Sequence, residues 1–214
     1  MQHSPLRTRS LVEGALMVAM GTVLSVIPFI ELPHGGSITW VSSLPLIVMA
    51  FRWNLPRALG TAFVASLIQL FMGIKNLAYC QTLTAQAGCV LLDYLLAFTA
   101  LGLAGLLGRV WKNRYLAVGT GTVLVCLLRY LCSFLSGYLV WRDYDYAFEW
   151  MTNFGWGRVI AGMGENALCW LYSAVYNATY MIPETLLTLA AGLLLMRAAP
   201  KLFLRQDKAP LQGR

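Results

Sequence analysis

The chain has 214 residues, of which 58% are hydrophobic and only 12% are charged. A soluble domain usually carries about 25% charged residues, so this chain has roughly half that share. The composition excludes a disordered chain and a disulfide-rich secreted scaffold, and it argues against an ordinary soluble enzyme. The net charge of +7 is compatible with nucleic-acid binding by its size alone, but the placement of the basic residues argues against it.

Six apolar runs come near the ~20 residues that a helix needs to cross a bilayer. In chain order, the predicted spans are residues 10–30, 39–53, 57–74, 86–108, 117–141 and 166–196. The second is the weakest, because it is short, holds Pro45 and follows a stretch rich in proline and glycine. The sequence therefore predicts an all-α membrane protein with a single integral domain over residues 1–214.

Lysines and arginines set the predicted orientation. Twelve of them flank the spans on one side and three on the other (Lys75, Arg142 and Arg158), while Arg129 lies inside the fifth span. Basic residues concentrate in cytoplasmic loops, so both termini are predicted to face the cytoplasm. Membrane topology and contact with anionic lipid thus explain the net positive charge of the chain, and we expect no nucleic-acid partner.

Several kinds of chemistry have no support in the sequence. There is no G-x-x-x-x-G-K-[ST] loop for nucleotide hydrolysis. The two histidines, His3 and His34, lie outside the spans, so an intramembrane metal site or a serine–histidine pair has no histidine to use. The five cysteines are expected to be buried free thiols. We therefore expect a protein that is not an enzyme, with no catalytic residue, metal or cofactor.

Four ionisable residues fall inside the predicted spans, where charges are costly and usually functional. Glu13 lies near the cytoplasmic end of span one and is expected to snorkel. Arg129 is expected to pair with Glu184 or Asp93 as an ion pair between helices. Asp93 lies near the outer end of span four, beside Tyr94, and suits a pocket for an organic cation that enters from outside.

Spans five and six carry polar and aromatic faces near their outer ends. The helical spacing aligns Ser133, Gly137 and Trp141 on span five, and Ser173, Asn177 and Glu184 on span six, with Tyr172, Tyr176 and Tyr180 as a second stripe. Taken singly, each of these residues is explained by hydrogen bonding or packing between helices. Their concentration near Asp93 favours a pocket for a flat, cationic, hydrogen-bonding ligand.

Rows of small residues at four-residue spacing allow helices to approach closely. They occur on span one (Ala15 and Ala19), on span three (Ala58, Ala62 and Ser66) and on span four (Ala100, Ala104 and Gly108). Internal packing and a partner surface both fit such rows, and the sequence leaves the choice open.

Several long motifs, in collinear order over residues 10–200, resemble one known family. These motifs are Pro33-His34-Gly35-Gly36-Ser37, Phe51-Arg52-Trp53, the run from Leu91 to Phe98, Leu128-Arg129-Tyr130 with Ser136-Gly137, and the run from Tyr172 to Pro183. They are similar to motifs of the thiamine-specific substrate-binding (S) components of energy-coupling factor transporters, the ThiT/YuaJ family. No single motif carries the resemblance, which rests on their order and spacing.

The resemblance implies a fold, a ligand and partners. The fold would be a six-helix bundle of the S-component type in the bacterial cell membrane, with both termini cytoplasmic. The function would be high-affinity capture of thiamine near the outer face. The partners would be one transmembrane coupling protein and two ABC-type ATPases, and Ala15 and Ala19 match the family's contact row for the coupling protein.

By the same resemblance, six residues are candidates for thiamine binding. Asp93 stands where a carboxylate faces the thiamine cation, with Tyr94 next to it, and Trp141 matches a position that stacks on the ligand. Tyr172 and Asn177 match positions that bind the aminopyrimidine. Ser133 departs from the pattern, because a ring-stacking histidine is usual there, and Gln69 stands where some members have a tryptophan.

Two alternatives remain open at this point. The absence of a histidine at Ser133 leaves room for an S component that binds a related heterocyclic compound. A stand-alone facilitator or channel is the second alternative. We also expect loops 31–40 and 142–165 to close over the ligand, and the second of them to hold a short amphipathic helix around Tyr144–Met151.

Overall fold

The structure is a computed structural model that describes residues 5–32, 36–80 and 82–206, apart from the side chains of Pro5 and Arg109. Helices dominate this part of the chain. They are α1 (Pro5–Val26), α2 (Leu44–Arg52), α3 (Leu55–Met72), α4 (Leu83–Gly108), α5 (Arg114–Leu139), α6 (Tyr144–Met151), α7 (Gly157–Ile160) and α8 (Glu165–Ala198). Two-residue strands, β1 (Ile30–Glu31) and β2 (Ser37–Ile38), pair antiparallel between α1 and α2. Short 3₁₀ helices follow α3 (Ile74–Tyr79) and α8 (Pro200–Phe203).

Five of the helices are long and apolar enough to cross a membrane: most of α1, then α3, α4, α5 and α8. Each corresponds to a predicted span, so the all-helical membrane architecture is confirmed. The largest shift is at the first span, where the helix ends at Val26 and not at residue 30. Pro28 explains this end, because the residue before a proline avoids the helical region.

The predicted second span is wrong at its start. Helix α2 covers only Leu44–Arg52, with Pro45 in its first turn, which is the place in a helix that tolerates proline. Nine residues rise about 14 Å, less than half of the ~30 Å hydrocarbon core. The residues before α2 form a non-helical segment, the strap (residues 36–43), which continues from β2 into the helix.

The strap and α2 together return the chain along α1. At one end, Glu13 of α1 accepts hydrogen bonds from Arg52 Nε (2.5 Å) and Trp53 Nε1 (2.9 Å), just after α2. Strap residue Ser42 contacts α1 again about two turns further on, because a Cβ on Gly21 would lie 3.0 Å from the Ser42 carbonyl oxygen. The strap therefore lies along α1 beyond the point that the short α2 reaches.

Apolar packing places α2 in the centre of the bundle. Every residue from Leu44 to Phe51 is buried, and six of them form one core cluster with side chains of α1, α3, α4, α5 and α8. Glycines let α4 approach closely: a Cβ on Gly105 would lie 1.9 Å from the Ala50 carbonyl oxygen, and one on Gly102 would lie 3.0 Å from the Ala58 backbone. The row Ala58, Ala62 and Ser66 is buried in the same way and serves internal packing.

Helix α4 changes its winding along its length. It starts as an α-helix, widens to a π-helical turn over Val90–Leu96 and tightens to a 3₁₀ helix over Ala100–Arg109. Short π-helical insertions occur frequently at functional sites, because they rotate the side chains beyond them relative to the α-helical register. The widened turn contains Asp93 and Tyr94.

Glu13 does not snorkel as expected. It accepts hydrogen bonds from Arg52 Nε (2.5 Å) and Nη2 (3.0 Å), from Trp53 Nε1 (2.9 Å) and from Arg9 Nε (2.9 Å). Arg52 also donates to the Lys201 carbonyl oxygen. This ion-pair network ties α1, α2 and the segment after α8 together at the end that is predicted to be cytoplasmic.

Candidate functional site

Asp93 is half-buried in the widened turn of α4, where α5 faces it. Its Oδ2 atom accepts a hydrogen bond from Ser136 Oγ at 2.6 Å and another from Trp141 Nε1 at 3.0 Å. Within the described part of the chain, no lysine, arginine or histidine nitrogen lies within 4.0 Å of this carboxylate. The two donors are neutral, so the negative charge of Asp93 has no ionic partner there.

Asn177 lies on α8, and its amide forms hydrogen bonds both within that helix and to α5. Its Nδ2 donates to the carbonyl oxygens of Ser173 (2.9 Å) and Ser133 (3.3 Å), and its Oδ1 accepts from the Tyr180 hydroxyl at 2.6 Å. Asn177 is 5% exposed. Both halves of its amide are therefore satisfied by protein groups, as buried polar groups require.

The outer part of α5 connects the two polar groups. Ser133 and Ser136 are one turn apart, with the first facing Asn177 and the second facing Asp93. Gly137 follows, and a Cβ there would lie 2.2 Å from Ser173 Oγ and 3.3 Å from Asn177 Nδ2. The absent side chain at Gly137 lets α8 come close enough for Asn177 to reach the α5 backbone.

Tyr172, Tyr176 and Tyr180 form the tyrosine wall, a buried stripe along α8. Neighbouring ring centroids lie 5.5 Å and 6.0 Å apart. The confirmed helix α6 (Tyr144–Met151) covers the wall from outside, with the Trp150 ring edge-on to Tyr172 at 5.5 Å and to Tyr176 at 5.8 Å. Thus part of the predicted loop 142–165 does pack over the tyrosines.

The other predicted covering loop is residues 31–40. Its residues 33–35, which include His34, lie outside the described residues. The described remainder contacts the tyrosine wall: Ile38 is buried against it, and a Cβ on Gly36 would lie 2.8 Å from the Tyr180 ring. Both expected covering segments therefore border the same wall of the candidate site.

Tyr94 points away from the Asp93 carboxylate and toward the end of α3. Its hydroxyl donates to the Gly73 carbonyl oxygen (3.1 Å) and accepts from Asn76 Nδ2 (3.0 Å). Its ring belongs to a small apolar cluster that also contains Cys80, Cys89 and Trp141. Tyr94 thus packs beside the indole that bonds to Asp93.

The expected ion pair of Arg129 with Glu184 or Asp93 is wrong. Arg129 Nη1 instead donates to Ser43 Oγ at 3.1 Å, and its guanidinium carbon lies 4.4 Å from the Phe98 ring centroid. Glu184 accepts from the backbone N–H and the hydroxyl of Thr39. The strap reaches both charged side chains, which the sequence alone could not show.

Three further positions border the site without having been predicted as binding residues. Ser136 is the closest donor to Asp93, Trp150 covers the tyrosine wall, and Tyr180 occupies the Asn177 oxygen. Gln69, expected near the site, donates to Ser25 Oγ on α1. The four-residue spacing of the tyrosines indicated Tyr180. No pattern in the sequence distinguished Ser136 or Trp150 from residues that only pack between helices.

Three groups near the outer ends of the long helices have shifted pKa values. The Glu165 carboxylate, 2.6 Å from Arg142 Nη2, raises the pKa of that guanidinium. Burial raises the pKa of the Tyr146 hydroxyl and of the Cys80 thiol above their usual ranges. All three groups therefore keep their ordinary protonation at neutral pH.

In chemical terms, the site offers an unneutralised carboxylate, an indole beside it, an amide and a wall of phenols. An organic cation with an aromatic ring matches these groups, because a carboxylate compensates its charge and rings stack on it or make cation–π contacts. Within the described residues, no group of three or more histidines, cysteines or acidic residues is placed to hold a metal ion.

Comparison with known proteins places the chain. The family described as "Thiamine transporter protein (Thia_YuaJ)" matches residues 11–204. The chain belongs to this family. The thiamine transporter ThiT of Bacillus subtilis is 28% identical over 211 residues, covering 93% of this chain and 95% of the relative. ThiT of Lacticaseibacillus paracasei is 26% identical over 212 residues, covering 92% and 91%.

A solved structure of ThiT from Listeria monocytogenes has a similar fold, with a TM-score of 0.67 at 24% sequence identity, covering 92% of this chain and 98% of that one. The resemblance stated from the motifs is therefore confirmed. Members of this family are transport proteins and not enzymes, and this member is a multi-pass protein of the bacterial cell membrane with five long apolar helices.

The close approach of α5 and α8 gives a test of the site's framework. We expect Gly137→Ala to lower the free energy of unfolding by about 1–3 kcal/mol, because the added methyl overpacks the contact with Ser173. The Gly137→Ala/Ser173→Ala double variant should recover part of the loss. Thermal unfolding of the purified protein in detergent, followed by tryptophan fluorescence, measures both effects.

Gly119→Ala on the same helix is the matched control. A Cβ there would meet only Leu189 Cδ1, at an ordinary 3.8 Å, so its helix propensity should make it neutral or slightly stabilising. Equal losses for Gly137→Ala and Gly119→Ala would contradict the importance of the close contact.

Proposed function

We propose that this protein is the thiamine-binding S component of an ATP-driven energy-coupling factor transporter. The observation that carries the proposal is the Asp93 carboxylate, which has only neutral donors around it in the described structure. Thiamine carries a permanent positive charge on an aromatic ring, and a buried carboxylate without a cation is costly. Ligand and site therefore complete each other electrostatically.

The proposed roles are those that the family resemblance implies, and the contacts of each residue qualify them. Asp93 faces the thiazolium charge, and the Trp141 indole, which bonds to Asp93, stacks on the ligand beside it. Tyr172 and Asn177 bind the aminopyrimidine. Because the Tyr180 hydroxyl occupies the Asn177 oxygen, this contact either runs through Tyr180 or requires its ring to move.

Two candidate residues have more limited roles. Ser133 accepts from Asn177 through its backbone oxygen, and its small side chain supplies no ring to stack on the ligand. Tyr94 keeps its hydroxyl on Gly73 and Asn76 and is proposed to support Trp141 from behind. Stacking is thus left to Trp141 and to the aromatic residues of the wall and of α6.

The energy source is proposed to lie in partner proteins. The chain has no nucleotide-binding loop of the P-loop type, which agrees with the one coupling protein and two ATPases that the family resemblance implies. Ala15 and Ala19 are both exposed along α1, beside the exposed Leu16, Met20 and Val23. This small-residue row offers a smooth helix face to a transmembrane partner, with membrane lipid around the rest of the bundle.

The strongest alternative is an S component for a related heterocyclic compound. The small Ser133 side chain favours it, because the pocket then lacks one ring that would select the thiazolium. Competition of labelled thiamine by its isolated pyrimidine and thiazole halves separates the two. A half that binds as tightly as whole thiamine would support the alternative.

We expect thiamine to quench tryptophan fluorescence saturably at submicromolar concentration in the purified protein. Asp93→Asn should weaken binding at least tenfold, about 1.4 kcal/mol, because it removes the charge that compensates the ligand. Asp145→Asn, which changes an exposed carboxylate on α6, is the matched control and should bind as the unaltered protein does. Unchanged affinity in Asp93→Asn would remove Asp93 from the site.

The coupling role has its own test. Ala19→Trp should leave thiamine affinity unchanged but abolish ATP-dependent uptake in cells or in vesicles that contain the partner proteins, because the indole blocks the helix face. Val64→Trp, at a 50% exposed position on α3, controls for a large residue facing lipid. Uptake by this chain alone in vesicles without ATPases would instead establish a facilitator or channel.

A further inference from the structure

Both oxygens of one buried carboxylate are used by a single strap residue. Glu184, on α8, is 5% exposed. Its Oε2 accepts from the Thr39 backbone N–H at 2.6 Å, and its Oε1 accepts from the Thr39 hydroxyl at 2.7 Å. Ser42 supports the arrangement, because its Oγ lies 2.8 Å from the same threonine oxygen. Glu184 thus holds the strap at the point where it leaves β2.

The strap is also held from the side of α5. Arg129 donates to Ser43 Oγ at 3.1 Å. Within the described chain, neither Arg129 nor Glu184 has an ion-pair partner within 4.0 Å. A negative and a positive side chain therefore both direct their hydrogen bonds to the strap, from two different helices. Removing the strap would leave both of them without these bonds inside the bundle, which is costly.

The strap needs such support because its backbone is strained. Val41 has φ of 53°, and it is the one residue other than glycine with a positive φ in the described chain. A β-branched residue rarely adopts this conformation, because its side chain clashes with its own backbone there. Strain of this kind persists only where the surrounding contacts impose it, and here Thr39 and Ser43 are anchored on either side of Val41.

The anchored strap forms part of the wall of the candidate site. Ile38, next to Thr39, is buried in the cluster that contains Tyr172, Tyr176 and Tyr180. Gly36 approaches the same wall so closely that a Cβ would lie 3.1 Å from the Tyr176 hydroxyl. The position of Thr39 therefore fixes how residues 36–38 lie against the tyrosines.

We propose that Glu184 is a positioning residue for ligand retention. It touches no ligand itself, but it locks the strap against the tyrosine wall through Thr39, so the ligand leaves only when this contact opens. The strained Val41 favours opening and the Glu184–Thr39 pair opposes it. This inference rests on the proposed function, since it assumes that thiamine occupies the site bordered by Asp93, Trp141 and Asn177.

The test compares variants of the full-length protein in detergent. Thr39→Val keeps the shape of the side chain and removes the hydroxyl, Thr39→Ser keeps the hydroxyl, and Glu184→Gln removes the charge. Glu165→Gln is the matched control on the same helix, because that carboxylate is exposed and pairs with Arg142.

One measurement is the release rate of preloaded radiolabelled thiamine after dilution into unlabelled thiamine. The other is amide hydrogen exchange of residues 36–43 without thiamine.

Thr39→Val and Glu184→Gln should each release thiamine about tenfold faster, because each breaks a hydrogen bond to a charged acceptor. The double variant should fall short of the product of the two single effects, since both changes act on the hydroxyl bond of the same pair, while the Thr39 backbone N–H still reaches residue 184. Thr39→Ser should stay within about twofold of the unaltered protein, and Glu165→Gln should match it. Amide exchange in the strap should rise in the first two variants only.

Unchanged release in Thr39→Val, with intact binding by the unaltered protein, would overturn the proposal, as would multiplicative effects in the double variant. Faster exchange without faster release would show that the contact only stabilises the fold. If Glu184→Gln does not fold, the Thr39→Val and Thr39→Ser pair decides. If the unaltered protein binds no thiamine, the proposed function fails together with the retention role, while exchange still reports whether Glu184 holds the strap.

Discussion

The structure depends on how a membrane bundle compensates its few buried charges, because an unpaired charge in a low-dielectric interior is expensive. Glu13 is neutralised by Arg52, with Arg9 beside it. Glu184 is bonded by the backbone and hydroxyl of Thr39, and Arg129 by Ser43 and the face of Phe98. Among the three carboxylates, Asp93 alone has neither a cation nor a backbone donor within the described structure, which fits its proposed role in ligand binding.

Backbone geometry makes this difference possible. The π-helical turn of α4 presents Asp93 to the outer part of α5, where Ser136 and Trp141 reach a single carboxylate oxygen. Gly137, one residue after Ser136, has no side chain and so lets α8 pack closely against this part of α5. A cation-binding group and an amide thus come to lie on two sides of one helix end without any long loop to position them.

The sequence predicted those features that depend on composition and periodicity along one element. Five long spans followed from hydropathy, the amphipathic helix Tyr144–Met151 from its local pattern, and the Asp93–Trp141 neighbourhood from the motif resemblance. The strap was missed because Thr39–Ser43 directly precedes the apolar run that begins at Leu44 and was joined to it, while the contacts that keep it out of the helix are tertiary. The partner of Arg129 was missed for the same reason. Residue spacing shows which side chains share one face of α5 or of α8, but it does not show that the strap, from another part of the chain, lies between Arg129 and Glu184.

Ser133 stands where a histidine is usual in the family, and this small side chain affects how α5, α8 and the strap pack together. Ser133 and Gly137 are both small, so α5 and α8 touch through backbone and hydroxyl groups, and the space beside Ser133 is taken by Tyr180, whose hydroxyl bonds to Asn177. Tyr180 is also the ring against which Gly36 of the strap packs. One tyrosine therefore contacts both the amide proposed to bind the ligand and the segment proposed to retain it. A change at Ser133 would then reach the strap through Tyr180, although the two do not adjoin in sequence.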